Sequence, residues 1–172
     1  MARTMRNKRD TQRERIYEWE GKYLGPFVEE MSLSQIQQFI SSILQDRNQN
    51  LNVALHPGKG CTSGSCASFW CWSKKTFDHV ITLPKWCRNA VVVLHELAHV
   101  FHREICMKNK KLEAWHGPEW MGIYLELLSK YTDKSIEALV PTLAPNNISY
   151  CRRRISSIVT EEIIENPYDV EY

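Results

Sequence analysis

Apolar residues along this chain alternate between two periods. Ile16, Trp19 and Tyr23 recur at helical spacing behind Thr11 and Glu14, which stand at the two positions of a capping box, so a first helix is expected here. "GPF" at 25–27 breaks it. Ser32 with Gln35 then caps a second helix, whose Ile36, Phe39, Ile40, Ile43 and Leu44 form one stripe suited to a core. From Asn50 to Pro84 the texture changes to short β-type runs, "LNVAL", "CASFWCW" and "HVITL", separated by "HPGKGCTSGS" and "SKKTFD". They predict a small antiparallel sheet. Helical spacing returns from about Trp86 to Glu104. It returns again behind Pro118, where Trp120, Met121, Tyr124, Leu125 and Leu128 share a face up to about Tyr131. A shorter helix is expected from Ser135 to Val140, ended by Pro141. "NNISYC" reads as a short strand, and the remaining residues read as a helix with a loose end. Helices flanking a small sheet make the fold class α+β.

The helix after the sheet contains "VVVLHELAHVFH" at 91–102, an apolar run that nevertheless carries His95, Glu96, His99 and His102. At about 100° per residue, His95 and His99 fall about 40° apart, one turn above the other, where two imidazoles can share one metal ion. Ala90, Val93, Leu94, Leu97, Ala98 and Phe101 lie between roughly 160° and 300° from His95, an arc that can face a core. Glu96 sits at about 100°, within reach of a water on the metal without being a ligand. This is the H-E-x-x-H arrangement of zinc hydrolases.

Catalytic zinc usually takes three protein ligands and keeps one position for water. The metzincin continuation fails, because His102 and Ile105 stand where it requires Gly and His. His116, in "EAWHGPEWMGIYLELL", stands just before the Pro118 helix, and the sixteen residues between it and His99 are enough to turn the chain back. Glu113 and Glu119 are rival third ligands. His102 is a weaker one, since it lies about 10 Å along the axis from His95.

"HELAH" followed by "HGPEW" resembles the SprT-like zinc metallopeptidases, whose second motif supplies the third histidine ligand. The resemblance implies a minimal zincin core, with the H-E-x-x-H helix directly after the last sheet strand. It also implies a ligand set of His95, His99 and His116 with Glu96 as the catalytic base. A nearer likeness is to a family of small metallohydrolases of actinobacteria and their phages. There an Arg-Asp-x-Gln-Arg opening, here in "RDTQRERIYEWE", precedes "ITLPKW" and the H-E-L-A-H helix. That likeness spans residues 9 to about 130.

At 172 residues the chain is expected to form one domain, able to bury roughly 68 to 70% of its unfolded surface. Residues 1–9 would be a basic tail and about 153–172 an extension. Twenty-two Lys and Arg against twenty Asp and Glu give a net charge of +2, too small to argue for nucleic acid. Basic residues do cluster at Arg3, Arg6, Lys8 and Arg9 and at Arg152, Arg153 and Arg154. Weak, salt-sensitive contact with nucleic acid is expected of them, as Spartan-type relatives would need. No run approaches the roughly 18 apolar residues of a membrane span, and no apolar signal region is visible, so a cytoplasmic protein is expected. Six cysteines are then expected as free thiols. Cys61, Cys66 and Cys71 have four residues between neighbours, which makes a weak case for a second metal.

The expected function is a zinc-dependent hydrolase, with one Zn2+ per chain, that cleaves peptide bonds with Glu96 as general base. An extended peptide or protein substrate would pair with a sheet edge within 66–72 or 79–83. Arg88, His102, Tyr131 and Tyr150 are candidates for stabilising the oxyanion. The alternative is a zinc-stabilised binding module, in which Cys106 or Cys87 closes the coordination shell.

Overall fold

A computed structural model of the protein describes residues 9–25, 29–59, 64–71, 73, 76–110 and 113–154. The chain forms two compact units: Pro26–Lys110, and the residues up to Gly25 together with those from Lys111 onward.

In the first of these units, Ser32 accepts from the Gln35 amide at 3.2 Å while Gln35 Oε1 accepts from the Ser32 amide at 2.8 Å, completing the expected capping box. Helix α2, Leu33–Asp46, comes next, with Ile36, Ile40 and Ile43 fully buried and Phe39 and Leu44 half-buried. Each such isoleucine contributes about 1.5–3 kcal/mol by leaving water. The three β-type runs become β1 (Asn52–Pro57), β2 (Ser65–Cys71) and β3 (Thr76–Leu83).

The sheet is mixed, not wholly antiparallel as expected. Its order is β1-β3-β2, with β3 parallel to β1 and antiparallel to β2. Pro57 and Ser65 lie at the same end of the sheet, opposite Leu83 and Thr82, and β3 lies between the two strands. The stretch 79–83 is on the central strand, with 79–82 paired on both sides, and the expectation of an open edge there is wrong. The stretch 66–71 does lie on an outer strand.

Strand β3 alternates strictly, burying Phe77, His79, Ile81 and Leu83. It ends at Pro84, and Lys85–Cys87 form one 3₁₀ turn. The Asn89 side chain accepts from the Val92 amide at 3.0 Å and caps α3, Ala90–Lys108. The start is later than expected because the 3₁₀ turn intervenes. The burial is also wider than the predicted arc, since every residue from Val93 to His102 is buried. An all-round buried helix is a core element, and α3 packs on α2, β2 and β3.

In the other unit, α1 (Arg13–Trp19) runs into a single π turn, Glu20–Leu24, and stops at Gly25 with φ 80°. Trp19 is fully buried and its Nε1 donates to Thr142 Oγ1 at 2.7 Å. The expected Thr11–Glu14 capping box is not formed; Gln12 is the N-cap residue and makes no side-chain cap bond. Helix α4, Pro118–Tyr131, has Pro118 in its first turn, where a missing N–H costs nothing. Helix α5, Ile136–Leu139, passes directly into a 3₁₀ turn, Val140–Thr142, so Pro141 opens that turn and does not end the helical path.

"NNISYC" is not a strand. Its backbone donors go elsewhere: Ile148 to the Leu143 carbonyl, Ser149 to Gln12 Oε1 and Cys151 to the Pro118 carbonyl. Arg152–Arg154 form a 3₁₀ turn packed on α4 at Gly122, where a Cβ would come within 2.8 Å of the Cys151 carbonyl. The expected basic tail up to Lys8 and the extension beyond Arg154 lie outside the described residues. Among those residues, no helix is long and apolar enough to cross a membrane.

Candidate metal centre

Helix α3 sets two imidazoles one turn apart. The rings of His95 and His99 are buried, edge to face, with centroids 5.1 Å apart. Glu96 is buried beside them, only 4% exposed. Gly64, which leads into β2, leaves the room its carboxylate occupies: a Cβ there would meet Glu96 Oε1 at 2.9 Å and the Leu83 and Val92 side chains at 3.1 Å. Two thiols share this neighbourhood. Burial and, secondarily, the charge of Glu96 push Cys66 up to about 12 and raise Cys87 as well. Both are thereby held as thiols, so neither is a ready metal thiolate.

His116 is held differently. It lies in the turn before α4, and residues far away in sequence fix both its ring and its backbone. Asp10 Oδ2 is 2.6 Å from His116 Nδ1, and Gln12 Nε2 donates to the His116 carbonyl at 2.7 Å. Gln12 is itself clamped: it donates to the Ser149 carbonyl at 3.1 Å and accepts from the Ser149 amide and hydroxyl at 3.1 and 3.0 Å. The Tyr17 and Trp120 rings stand roughly perpendicular to the imidazole, with centroids at 5.7 and 4.8 Å.

His95, His99 and His116 form a buried group that could hold a metal ion, each offering one ligand atom, with all three atoms within 4.8 Å of one another. The chemistry of the set suits a borderline divalent cation such as zinc: three imidazoles, one of them hydrogen-bonded through Nδ1 to a carboxylate. Among the described residues no cysteine belongs to this group. The Cys87 thiol donates to the Pro84 carbonyl, and Cys106 Sγ lies 3.4 Å from His102 Nε2. Neither closes the shell in the way a structural zinc site requires.

The rival ligands fall outside the group. Glu119 is paired with Arg154 and, at 3.8 Å, with Arg153. Burial opposes its ionisation, but the Cys151 hydrogen bond and the two guanidinium groups outweigh that and hold its carboxyl below the ordinary value. Glu113 is half-buried and is no member either. Of the oxyanion candidates, Arg88 donates through Nε to the Leu83 carbonyl at 3.2 Å, and His102 is turned toward Cys106. Cys66 and Cys71 form no disulfide and stand five positions apart on β2, so they point to opposite sheet faces and do not share an ion. Cys61 is outside the described residues.

Spacing alone does not mark Asp10, Gln12 or Gly64. "RDTQR" stands out only through a family likeness, yet a buried glutamine with four polar contacts is the kind of group that must have a specific partner. His79 carries no spacing signal either: it is 1% exposed and links Ser68 Oγ, at 2.8 Å, to Glu104 Oε1, at 3.1 Å, tying β2 and β3 to α3 inside the core. No family model, curated protein or solved structure matches the chain.

Proposed function

We propose that the chain is a zinc-dependent hydrolase, a metallopeptidase that opens peptide bonds with Glu96 as general base. The observation that carries this reading is the buried three-histidine group with a buried carboxylate one position along the same helix. Three protein ligands without a fourth are the pattern of catalytic zinc, whereas structural zinc closes with four. A zinc ion held there would supply Lewis-acid activation of a water and of the scissile carbonyl. Glu96, buried where Gly64 leaves room for its carboxylate, would take the proton of that water and could return it to the leaving amine. The likeness of "HELAH" and "HGPEW" to SprT-like metallopeptidases supports the same assignment.

The outer strand β2, on which α3 packs, suits an extended peptide by strand addition. Phe69, 61% exposed there, offers such a peptide an apolar contact. Nucleic-acid contact is a minor part of the proposal: Arg153 and Arg154 are engaged by Glu119, which leaves a weak, salt-sensitive footprint.

The test is Glu96→Gln, which keeps size and shape but removes basicity. Hydrolysis of a peptide or protein identified by a substrate screen should fall about 10²- to 10⁴-fold, with zinc content and melting temperature unchanged. Wild-type turnover by a zinc-loaded, folded variant would remove Glu96 from the mechanism.

A further inference from the structure

The segment around Asp10 and Gln12 touches the proposed centre without belonging to its ligand set. Its geometry has two parts. Gln12, 4% exposed, fastens the backbone of His116 and of Ser149 at once, through four polar contacts between 2.7 and 3.1 Å. Two residues earlier, Asp10 Oδ2 meets His116 Nδ1 at 2.6 Å, a short distance for a hydrogen bond to a carboxylate. An imidazole that donates Nδ1–H to a carboxylate is fixed in the tautomer whose Nε2 carries the lone pair, and its ring can no longer rotate. The other oxygen, Asp10 Oδ1, is buried and has no hydrogen-bond partner among the described residues. A carboxylate so placed is poorly explained by stability alone, because an unmatched buried acceptor costs free energy.

We propose that Asp10 is the positioning residue of the metal centre: held in place by the Gln12 clamp, it sets the tautomer and ring angle of His116 and raises its affinity for a divalent cation. The inference rests on His95, His99 and His116 being ligands. It assigns to "RDTQR" a role that neither the H-E-x-x-H helix nor the His-Gly-Pro motif contains: Asp10 for orientation, Gln12 for anchorage.

The experiment measures zinc affinity, by competition against a chelator of known strength, for the wild type, Asp10→Asn and Asp10→Ala. Melting temperatures of the metal-free proteins are recorded alongside. Asp10→Asn keeps an acceptor but loses the charge; Asp10→Ala loses both. Affinity should fall about tenfold in the first and up to about a hundredfold in the second, the usual range for such an outer partner. The metal-free melting temperatures should fall much less than the zinc affinities, because the lost hydrogen bond to His116 is offset by removal of the unmatched charge on Asp10. The absorption bands of the cobalt-substituted protein should shift in both variants, reporting a changed ligand field. Affinities within twofold of the wild type, or a loss matched by an equal fall in metal-free stability, would overturn the positioning role. A wild type that binds no zinc would instead overturn the ligand set, and the inference with it.

Discussion

His95 and His99 are placed by local geometry, and His116 by contacts across the sequence. The first two need only a helix: four residues of separation put both rings on one face, and the burial of α3 from Val93 to His102 keeps that helix intact. His116 sits in a turn, and what fixes it comes from positions 104 and 106 residues earlier, Gln12 and Asp10. A metal centre built on these three histidines would draw on two separate sources of order. They should fail separately.

The largest effect is expected from the core of α3. Leu97 is fully buried, and Leu97→Ala should cost about 2–5 kcal/mol, read as a lowered midpoint in a denaturant titration. The protein that remains folded should still bind zinc, because the pair and its spacing survive. Loss of zinc from a folded Leu97→Ala protein would show that helix packing, and not only spacing, sets the pair.

Gln12→Ala sharpens the contrast from the other side. It leaves the His116 carbonyl and the Ser149 groups without their buried partner, at a cost of about 1–3 kcal/mol, and it loosens His116 directly. Zinc affinity should fall together with stability, unlike the Leu97 case. A stable, fully zinc-binding Gln12→Ala protein would mean that the turn holds His116 unaided.

Asn89→Ala should have the smallest effect. Removing the side chain that caps α3 frees the Val92 amide and costs about 1 kcal/mol, with zinc affinity little changed because His95 lies more than one turn further along. Thermal melts with and without a chelator measure both quantities. A large loss of zinc would show that order at the start of α3 reaches the ligands.

The same contrast explains what can be read from the sequence. The pair on α3, the α2 capping box and the three strand runs are short-range patterns, legible because periodicity and capping are local physics. The strand order is not legible, since three successive β runs do not reveal that the last one fits between the other two. Thr11 and Glu14 suggest a local cap, whereas Gln12 between them holds distant backbone, because a capping box and a long-range clamp use the same kinds of polar residue. "NNISYC" has the look of a strand but is none, because its amides pair with helical segments and with Gln12, partners that β propensity does not register.

Metal binding is tested most directly by elemental analysis of the purified chain after expression in zinc-replete medium, beside His95→Ala and His116→Ala. The account predicts one zinc per wild-type chain and a melting temperature lowered by chelation, because metal bound only to the folded state stabilises it. It predicts loss of the ion in both variants, although their ligands are ordered by unrelated means. A wild type without zinc, or a His116→Ala protein that keeps a full equivalent, would contradict the three-histidine centre.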